Sequence, residues 1–531
     1  MRISFVVVAA GVFLIVGSAC PSVQVVDEDA VLKLKTAPAG SYLQGTPLGL
    51  GEPVVVNRRD FVYALAFDPR SRELAFVHHV STHMELTTTG IEPLAPRFQE
   101  KVNPSEFDCE DVAFAGDRVL VVSRQGTLRA FERASGRLIN EVATGEGLVR
   151  VAVNADASVV AVGSTEGRVL LFEGKGLALI GEGQPHVDEV RGLAFLRDGR
   201  LVSVSQDGTL KVSVSKPAEA ALVRVPTTGL PKGDRVFLTH VDGWRAVSTV
   251  RDSRQTSSII SRAAVKRLEL AAPKDARVLS VLTAEGSKEV PAVDVGALRL
   301  RTLELGSVTA AVCDDCLPTG VELMLGQDVL SHINLVEDVA RDEMVARPLE
   351  GDATAKLVEG ARVVVEAKAV TLPGPATDLD VSATGAVLAS FSTLKAERSY
   401  DLHDAEKRGN FPPPSPTSGA AFVDVDAGTL GKLFVNGHLG FTVTGGVSPD
   451  GRTVVTGGWD RRLLVWDAVS GEVVTERSLG WLVRRARFTP DGHLVGAAAW
   501  TPVNALNEGD SEPSLLLYPM ALAGASIAQA P

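Results

Sequence analysis

One stretch of the chain, residues 446–474, reads GVSPDGRTVVTGGWDRRLLVWDAVSGEVV. Its apolar runs are short and rich in Val and Leu, and they are separated by an Asp-Gly pair at 450–451 and a Ser-Gly pair at 470–471. Such pairs form tight turns, because glycine and aspartate tolerate the positive φ that many of these turns need. The stretch therefore predicts consecutive short antiparallel strands.

The same stretch resembles a blade of the WD-repeat family, in which four antiparallel strands form a small sheet and a Trp-Asp pair ends the third strand. The matching pair here begins at Trp466. The resemblance implies that Asp460 is the turn aspartate that hydrogen-bonds across the blade, with Thr456 and Trp466 as its partners. We expect these residues to hold the blade together and to have no catalytic role.

Weaker copies of this alternation of strands and turns occur along the chain. The copy at 190–214 carries Asp207 in an Asp-Gly turn, and His186 just upstream matches the family's histidine position, although the third strand lacks the Trp. The other copies lie at 62–86, 111–131, 149–172, 376–402 and 483–518. Because a single blade cannot bury both faces of its sheet, we expect the copies to close into a ring.

The predicted fold is all-β, a β-propeller of about seven blades that is interrupted after the fourth by a small β-rich folded domain. Residues 31–34 or 54–56 are expected to complete the last blade, and the sequence leaves both open. The Pro-rich run at 412–416 is interpreted as a surface connection between the fifth and sixth blades. The predicted segments are a signal peptide at 1–20, a linker at 21–44, blades one to four at 45–222, the insertion at 223–368 and blades five to seven at 369–531.

The insertion has a pattern of its own. A strand and hairpin turn at 241–250 precede DSRQTSSII at 252–260, and a helix-like segment follows at 262–270. This order resembles the active strand of retropepsin-type aspartic proteases, which reads Asp-Thr/Ser-Gly-Ala-Ser before a helix. Further on, GVELMLGQDVL at 320–330 resembles the family's Leu-Gly-x-Asp-x-Leu segment, and Gly286 falls where the family has its flap hairpin. The two motifs imply a retropepsin-like domain.

The resemblance makes Asp252 the candidate catalytic acid and Ser253 the residue whose hydroxyl braces the two loops. Aspartic proteolysis needs two carboxylates that share one proton, and the chain has no second Asp-Thr/Ser-Gly, so activity would require a homodimer. Arg254 stands where the family has a glycine, and its guanidinium would hold Asp252 ionised. We therefore favour a domain without activity, and an aspartic endopeptidase is the alternative.

The amino terminus predicts export. A charged start, an apolar run at 3–16 and the small residues at 17–19 are typical of a secretory signal, and the apolar run is short for a membrane span. Cys20 follows directly, as in a bacterial lipobox, although Gly17 stands where Leu or Val is usual, so cleavage by an ordinary signal peptidase is the alternative. We expect lipidation at Cys20 and a place in the bacterial cell envelope, as a periplasmic or outer-membrane lipoprotein.

The charge and the cysteine and histidine content of the chain limit the classes of partner and ligand that we expect. The formal charge of −12 gives no basic surface for a phosphate backbone, so nucleic acid is not expected as a partner. Cys313 and Cys316 alone are too few to complete a zinc site, so we expect them to form a local disulfide or to remain two thiols. The histidines at 78, 79 and 83 are interpreted as solvated loop residues. No cofactor or metal is expected. The predicted partners are a protein or peptide, the membrane through Cys20 and a second copy of the chain.

Overall fold

The computed structural model is almost entirely β, as the sequence predicts. Its description covers residues 41–58, 61–70, 72–80, 83–91, 94–103, 109–219, 222–230, 234–271, 277–394, 413–479, 482–500 and 513–529. Within these ranges the helices are α1 (Arg262–Arg267) and α2 (Gln327–Leu330). Neither helix is long or apolar enough to cross a membrane.

Four-stranded antiparallel units account for most of the strands outside the insertion. The first three units are β3 (Phe61–Phe67), β4 (Glu73–Val80), β5 (His83–Ile91) and β6 (Leu94–Asn103); β7 (Cys109–Ala115), β8 (Arg118–Ser123), β9 (Thr127–Glu132) and β10 (Leu138–Ala143); and β11 (Leu148–Val153), β12 (Val159–Ser164), β13 (Val169–Glu173) and β14 (Leu179–Gly183). The fourth unit is β15 (Val190–Phe195), β16 (Leu201–Ser205), β17 (Thr209–Pro217) and β30 (Arg362–Thr371).

The remaining units follow the insertion. The fifth and sixth are β31 (Ala376–Val381), β32 (Val387–Ser392), β33 (Ser418–Asp424) and β34 (Thr429–Val435); and β35 (Thr442–Val447), β36 (Thr453–Gly458), β37 (Arg462–Asp467) and β38 (Val473–Ser478). The closing unit is β39 (Leu482–Phe488), β40 (Leu494–Trp500), the first part of β41 (Pro513–Gln529) and β2 (Val54–Arg58). β14 of the third unit pairs parallel with β30 of the fourth unit, so the two units are joined edge to edge. The number of seven blades stays a prediction.

The units are arranged as a propeller. The innermost strands contact one another in chain order, from β3 through β7, β11, β15, β31 and β35 to β39, and β39 contacts β3 again. Close approach between units depends on small residues: a Cβ on Gly457 would lie 2.4 Å from Val483 of the closing unit. Burial is nearly complete on β36, where every residue from Thr453 to Gly458 is buried. The core therefore lies between the faces of neighbouring units.

The closing unit combines both ends of the described chain. Val54–Arg58 pairs antiparallel with Leu517–Pro513, so β2 supplies the outermost strand, while β1 (Ser41–Leu50) pairs with the second half of β41. Of the two segments expected to complete the last blade, 54–56 lies in this strand and 31–34 lies outside the described residues. Neighbouring strands from distant parts of the sequence thus close the ring.

Two boundaries differ from the sequence interpretation. The predicted insertion ends at 368, whereas β30 begins at Arg362 and pairs with β17 along its length, with Pro217 opposite Arg362. The Pro-rich run does not connect the fifth and sixth blades, because Pro413 and Pro414 precede β33, which pairs with β32 inside the fifth unit. A polar, Pro-rich segment is typical of a connection between blades, and the pattern does not reveal that this one lies within a blade.

The insertion is a separate β-rich body that enters and leaves through the fourth unit. Its main sheet contains β19 (Thr228–Gly229), β20 (Arg235–Val241), β21 (Arg245–Arg251), β22 (Ile259–Ile260), β23 (Val278–Thr283), β24 (Gly286–Leu300), β25 (Leu303–Val312), β26 (Leu323–Leu325) and β29 (Lys356–Leu357). A second sheet contains β18 (Val223–Pro226), β27 (Ile333–Asp338) and β28 (Glu343–Pro348). Phe237, Leu298 and Leu323 belong to a continuous apolar core between these elements.

Candidate functional site

A buried chain of hydrogen bonds crosses the sixth unit. Trp466 Nε1 donates to Thr456 Oγ1 at 2.8 Å, Thr456 Oγ1 lies 2.8 Å from His438 Nε2, and His438 Nδ1 lies 3.1 Å from both carboxylate oxygens of Asp460. Burial disfavours the charged carboxylate, but the contacts with His438 and with the Leu439 amide outweigh it and keep the pKa of Asp460 below its usual value. The three residues expected to hold the blade together are thus brought into one network.

His438 is a member of this network that the sequence reasoning missed. The fourth unit has an equivalent: His186 Nδ1 lies 3.0 Å from Asp207 Oδ2, and Nε2 lies 2.8 Å from Ser203 Oγ. The spacing in the sequence indicates His438, because the histidine precedes the aspartate by 21 residues in the fourth unit and by 22 in the sixth. Both histidines are almost completely buried, which suits a role in holding the blade.

The two protease-like motifs of the insertion meet in one sheet. β26 pairs parallel with β21 and antiparallel with β22, so the strand that precedes α2 lies between the strands that flank Asp252. Ser258 Oγ donates to Asp328 Oδ1 at 2.8 Å and accepts the Gly326 amide at 3.1 Å. A Cβ on Gly326 would lie 2.5 Å from the backbone carbon of Ser257, which explains why glycine is needed there. The loop that carries Asp252 is therefore firmly positioned.

Arg254 covers the carboxylate of Asp252. Its Nε lies 2.9 Å from Oδ1 and 3.2 Å from Oδ2, its Nη2 lies 2.7 Å from Oδ2, and its backbone amide donates to Oδ1 at 2.9 Å. The side-chain hydrogen bond from Arg254 is the main cause that lowers the pKa of Asp252, and burial opposes it only in part. The arrangement stabilises an ionised Asp252, whereas the aspartic mechanism needs a proton shared between two carboxylates.

Within the part of the chain that the structure describes, no second carboxylate of an aspartic dyad contacts Asp252. Among the described residues, the hydrogen bonds and charges acting on its carboxylate come from Arg254. Ser253 is exposed, and its carbonyl accepts Gln327 Nε2 at 2.9 Å. The proposed bracing role of the Ser253 hydroxyl would require a second copy of the chain, so this role stays a prediction.

A hairpin extends from the insertion beside this loop. β23 and β24 form it, with Gly286 at φ +121° next to the turn, where the sequence places a flap. Gln255 ties the hairpin to the Asp252 loop, because its Nε2 donates to Leu282 O at 2.7 Å and its Oε1 accepts the Leu282 amide at 3.0 Å. Val278 and Leu282 are more than half exposed on the hairpin. The loop thus faces solvent next to exposed apolar side chains.

Comparison with known families agrees with both parts of this geometry. The family described as WD domain, G-beta repeat matches residues 179–212 and 431–467, and the family described as Aspartyl protease matches residues 239–329. The chain carries WD repeats and a retropepsin-like domain. The WD matches include both histidine–aspartate networks, and WD repeats generally mediate protein interactions, which indicates an interaction scaffold. No curated protein matches the chain significantly.

The retropepsin-like domain is docked onto the propeller through buried polar contacts. His240 Nε2 donates to the carbonyl of Ala143 at 2.7 Å, and burial lowers the pKa of His240 to about 4, so the imidazole is neutral at physiological pH. Arg301 pairs with Glu146 of the propeller, and both residues are less than a tenth exposed. Separating Arg301 from Glu146 would leave a buried charge without its partner, which is costly. We therefore expect the retropepsin-like domain to keep one orientation relative to the propeller.

The cysteine and histidine predictions have different outcomes. Cys313 and Cys316 form a disulfide with their Cα atoms 5.5 Å apart, which is one of the two expected states. The interpretation of the histidines as solvated loop residues is wrong for His78 and His79, which lie buried on β4; His78 Nε2 lies 2.9 Å from Thr87 Oγ1. The two rings point to opposite faces of β4, and both are buried because both faces of this strand are covered, which a cluster of polar residues in the sequence does not reveal. Cys20 lies outside the described residues.

Proposed function

We propose that this chain is an exported, membrane-anchored propeller scaffold that binds protein or peptide partners, and that its retropepsin-like domain binds without cleaving. The observation that carries the proposal is the contact of Arg254 with both carboxylate oxygens of Asp252. A guanidinium in this position occupies the space in which the second carboxylate of a dyad would share a proton. The domain keeps the framework of a protease cleft and loses the protonation state that cleavage uses.

Two features support the binding role. The hairpin tied to the Asp252 loop exposes Val278 and Leu282, and exposed apolar side chains are suited to contact with a peptide. The propeller adds loops at the ends of its strands, where binding residues are positioned by a rigid framework. The buried contact between His240 and Ala143 would hold both surfaces in one orientation.

Export and anchoring are supported by separate features. Arg2, an apolar run at 3–16 and small residues at 17–19 precede Cys20, which is the order of a lipoprotein signal. A disulfide between Cys313 and Cys316 suits an oxidising compartment outside the cytoplasm. Mass analysis of the mature amino terminus tests this part: we expect a lipid mass on Cys20 that is missing in Cys20→Ser, and an unmodified terminus would contradict anchoring.

The absence of cleavage is tested by incubating the purified chain with casein and with a peptide library between pH 3 and pH 7, over a range of protein concentrations. Asp252→Asn is the matched control, because it removes the acid and keeps the size of the side chain. We expect the same background for both proteins. Cleavage by the natural chain that rises with concentration and is lost in Asp252→Asn would instead establish a homodimeric aspartic endopeptidase.

A further inference from the structure

The central channel of the propeller has a regular construction. Each innermost strand pairs with the second strand of its unit, and the register of this pairing shifts near the start of the strand. The shift is a β-bulge that leaves one residue of each innermost strand, its left-over residue, without a partner in the pairing. Such bulges re-aim side chains, and they are frequent beside functional sites. Here the left-over residues include Glu110, Arg191 and Arg484, which line a cavity of about 500 Å³, named here the upper cavity.

A second cavity, the lower cavity, has a volume of about 660 Å³ and is lined by Asp111 and Asp378. Arg150 and Arg485 line both cavities, so their guanidinium groups lie between the two. Each follows directly after the register shift of its strand. The narrow part of the channel is therefore formed by charged side chains.

The arginines around Arg150 have carboxylate partners. Arg485 donates to Asp378 at 2.8 Å, Arg484 pairs with Glu110 at 3.0 Å, and Arg191 lies 3.3 Å from Glu189. Each of these pairs offsets much of the cost of holding a charge away from bulk water. These groups need no ligand to balance them.

Arg150 differs from them. Its Nε donates to the carbonyl of Arg191 and its Nη1 to the carbonyl of Val149, both at 2.6 Å, and no carboxylate of the described residues lies within ion-pair distance of it. Arg150 as a whole residue is only 9% exposed. Burial, together with the neighbouring charge of Arg485, lowers the pKa of Arg150 to about 9, which still leaves the group charged at neutral pH. The carboxylates of Asp111, Asp378 and Glu110 attract this guanidinium from beyond ion-pair distance, but each of them is paired with another arginine. A buried cation with no ion-pair partner of its own is costly unless an anion joins it.

We propose that the channel is a carboxylate-binding site in which Arg150 pairs with the ligand and the upper cavity holds the rest of it. One guanidinium without an ion-pair partner among the described residues matches one carboxylate in charge and in planar shape. A phosphate dianion would also face Asp111 and Asp378, so the carboxylate is favoured. Phe441 and Trp459, whose rings are 5.6 Å apart, offer an apolar wall for the carbon part of the ligand.

The carboxylate could belong to a free small monocarboxylic acid or to an acidic side chain of a peptide. Titration calorimetry of the complete chain with butyrate, with a capped peptide containing one glutamate, and with inorganic phosphate separates these sources. We expect butyrate or the peptide to bind, and whichever binds identifies the source. Binding of phosphate alone, or of none of the three, would overturn the proposal. The assay does not involve Asp252, so its outcome is independent of whether the retropepsin-like domain cleaves.

The variants Arg150→Met and Arg150→Lys test the assignment to this residue. Arg129→Met is the matched control, because Arg129 pairs with Glu141 at 2.6 Å on β9 and β10, away from the channel. We expect Arg150→Met to weaken carboxylate binding by roughly tenfold or more, Arg150→Lys to weaken it less, and Arg129→Met to have no effect.

The change in melting temperature on adding the ligand, measured against each variant without ligand, gives a second readout that does not depend on the starting stability. We expect this change to be smallest in Arg150→Met. Equal affinity and an equal temperature change in Arg150→Met and the natural chain would overturn the assignment.

Discussion

Ser258→Ala should loosen the loop that carries Asp252 without unfolding the molecule. Ser258 is completely buried, and its hydroxyl donates to Asp328 and accepts the buried amide of Gly326. Asp328 is exposed, so water can replace the lost donor there, whereas the Gly326 amide has no such replacement. Leaving that amide unpaired should cost about 2 kcal/mol.

Amide hydrogen exchange of the complete chain measures this loss at the affected bond. A cost of about 2 kcal/mol corresponds to an exchange rate at Gly326 that is roughly 30-fold faster, provided that exchange follows local opening. The amide of Ser258 itself, which donates to Asp328 Oδ2 at 2.9 Å, should accelerate with it because both bonds join the same two motifs. Amides of the propeller strands should keep their natural rates.

Ser257→Ala is the control for Ser258→Ala, because it removes a neighbouring hydroxyl that makes no hydrogen bond within the described residues. It should leave the exchange rate at Gly326 unchanged. Similar acceleration in both variants would mean that the loop is sensitive to any loss of a hydroxyl. No acceleration in Ser258→Ala would mean that this hydroxyl does not join the motifs, and the reasoning would be refuted.

Two further changes test other parts of the molecule. Thr456→Val removes the hydroxyl between Trp466 Nε1 and His438 Nε2, leaves two buried groups without partners, and should lower the free energy of unfolding in urea by about 2–4 kcal/mol. His240→Gln keeps a donor for the carbonyl of Ala143 but does not titrate. The pKa of His240 is about 4 in the folded chain against an ordinary value of 6.5, so the unfolded chain takes up the proton at a higher pH than the folded chain does. The free energy of unfolding should therefore fall by about 3 kcal/mol as the pH drops from 6.5 to 4. His240→Gln should remove that part of the fall.

Each of these two predictions has a clear contrary result. If Thr456→Val stays within about 0.5 kcal/mol of the natural chain, the network is not a significant source of stability. Thr456→Ser, which keeps the hydroxyl and removes only a methyl group, should cost less than Thr456→Val and serves as its control. If the natural chain and His240→Gln lose stability equally between pH 6.5 and pH 4, the imidazole is not kept neutral by its burial at the docking contact.

The repeats could be predicted because each blade is a local pattern. Asp450 and Gly451 illustrate why: Ser448 and the amide of Arg452 donate to the Asp450 carboxylate, and Gly451 takes φ +73°, so a few adjacent residues fix the turn. The sequence pattern indicates only the first two strands of the fifth unit, β31 and β32. Its last two strands begin at Ser418, and a long polar, Pro-rich segment separates them from β32, which breaks the spacing that a repeat search relies on.

The site of the retropepsin-like domain could be predicted in its chemistry but not in its surroundings. The effect of Arg254 on Asp252 acts between residues two positions apart, so charge and reach alone indicate it. The docking contact between His240 and Ala143 joins residues 97 positions apart and depends on how two folded bodies meet. No periodicity in either segment carries that information.

The charges of the channel are a similar case. Glu110 and Arg484 lie 3.0 Å apart in space and 374 residues apart in sequence. Glu110 is one of two acidic residues on β7, and Arg484 is one of three arginines on β39. Charged residues in a strand pattern usually belong to a solvated face. Only the closed ring brings these side chains together, and the unpaired state of Arg150 becomes visible only when the partners of its neighbours are known.

The pairing of β2 with β41 has a consequence for the order of folding. A ribosome releases residues 54–58 long before residues 513–517, so β2 must wait until all the strands between them have been made before its partner exists. The strands of the retropepsin-like domain, from β18 to β29, are contiguous and can complete their pairing much sooner. The ring therefore closes after the retropepsin-like domain can fold, and until then the edge of β2 is unprotected against pairing with other chains.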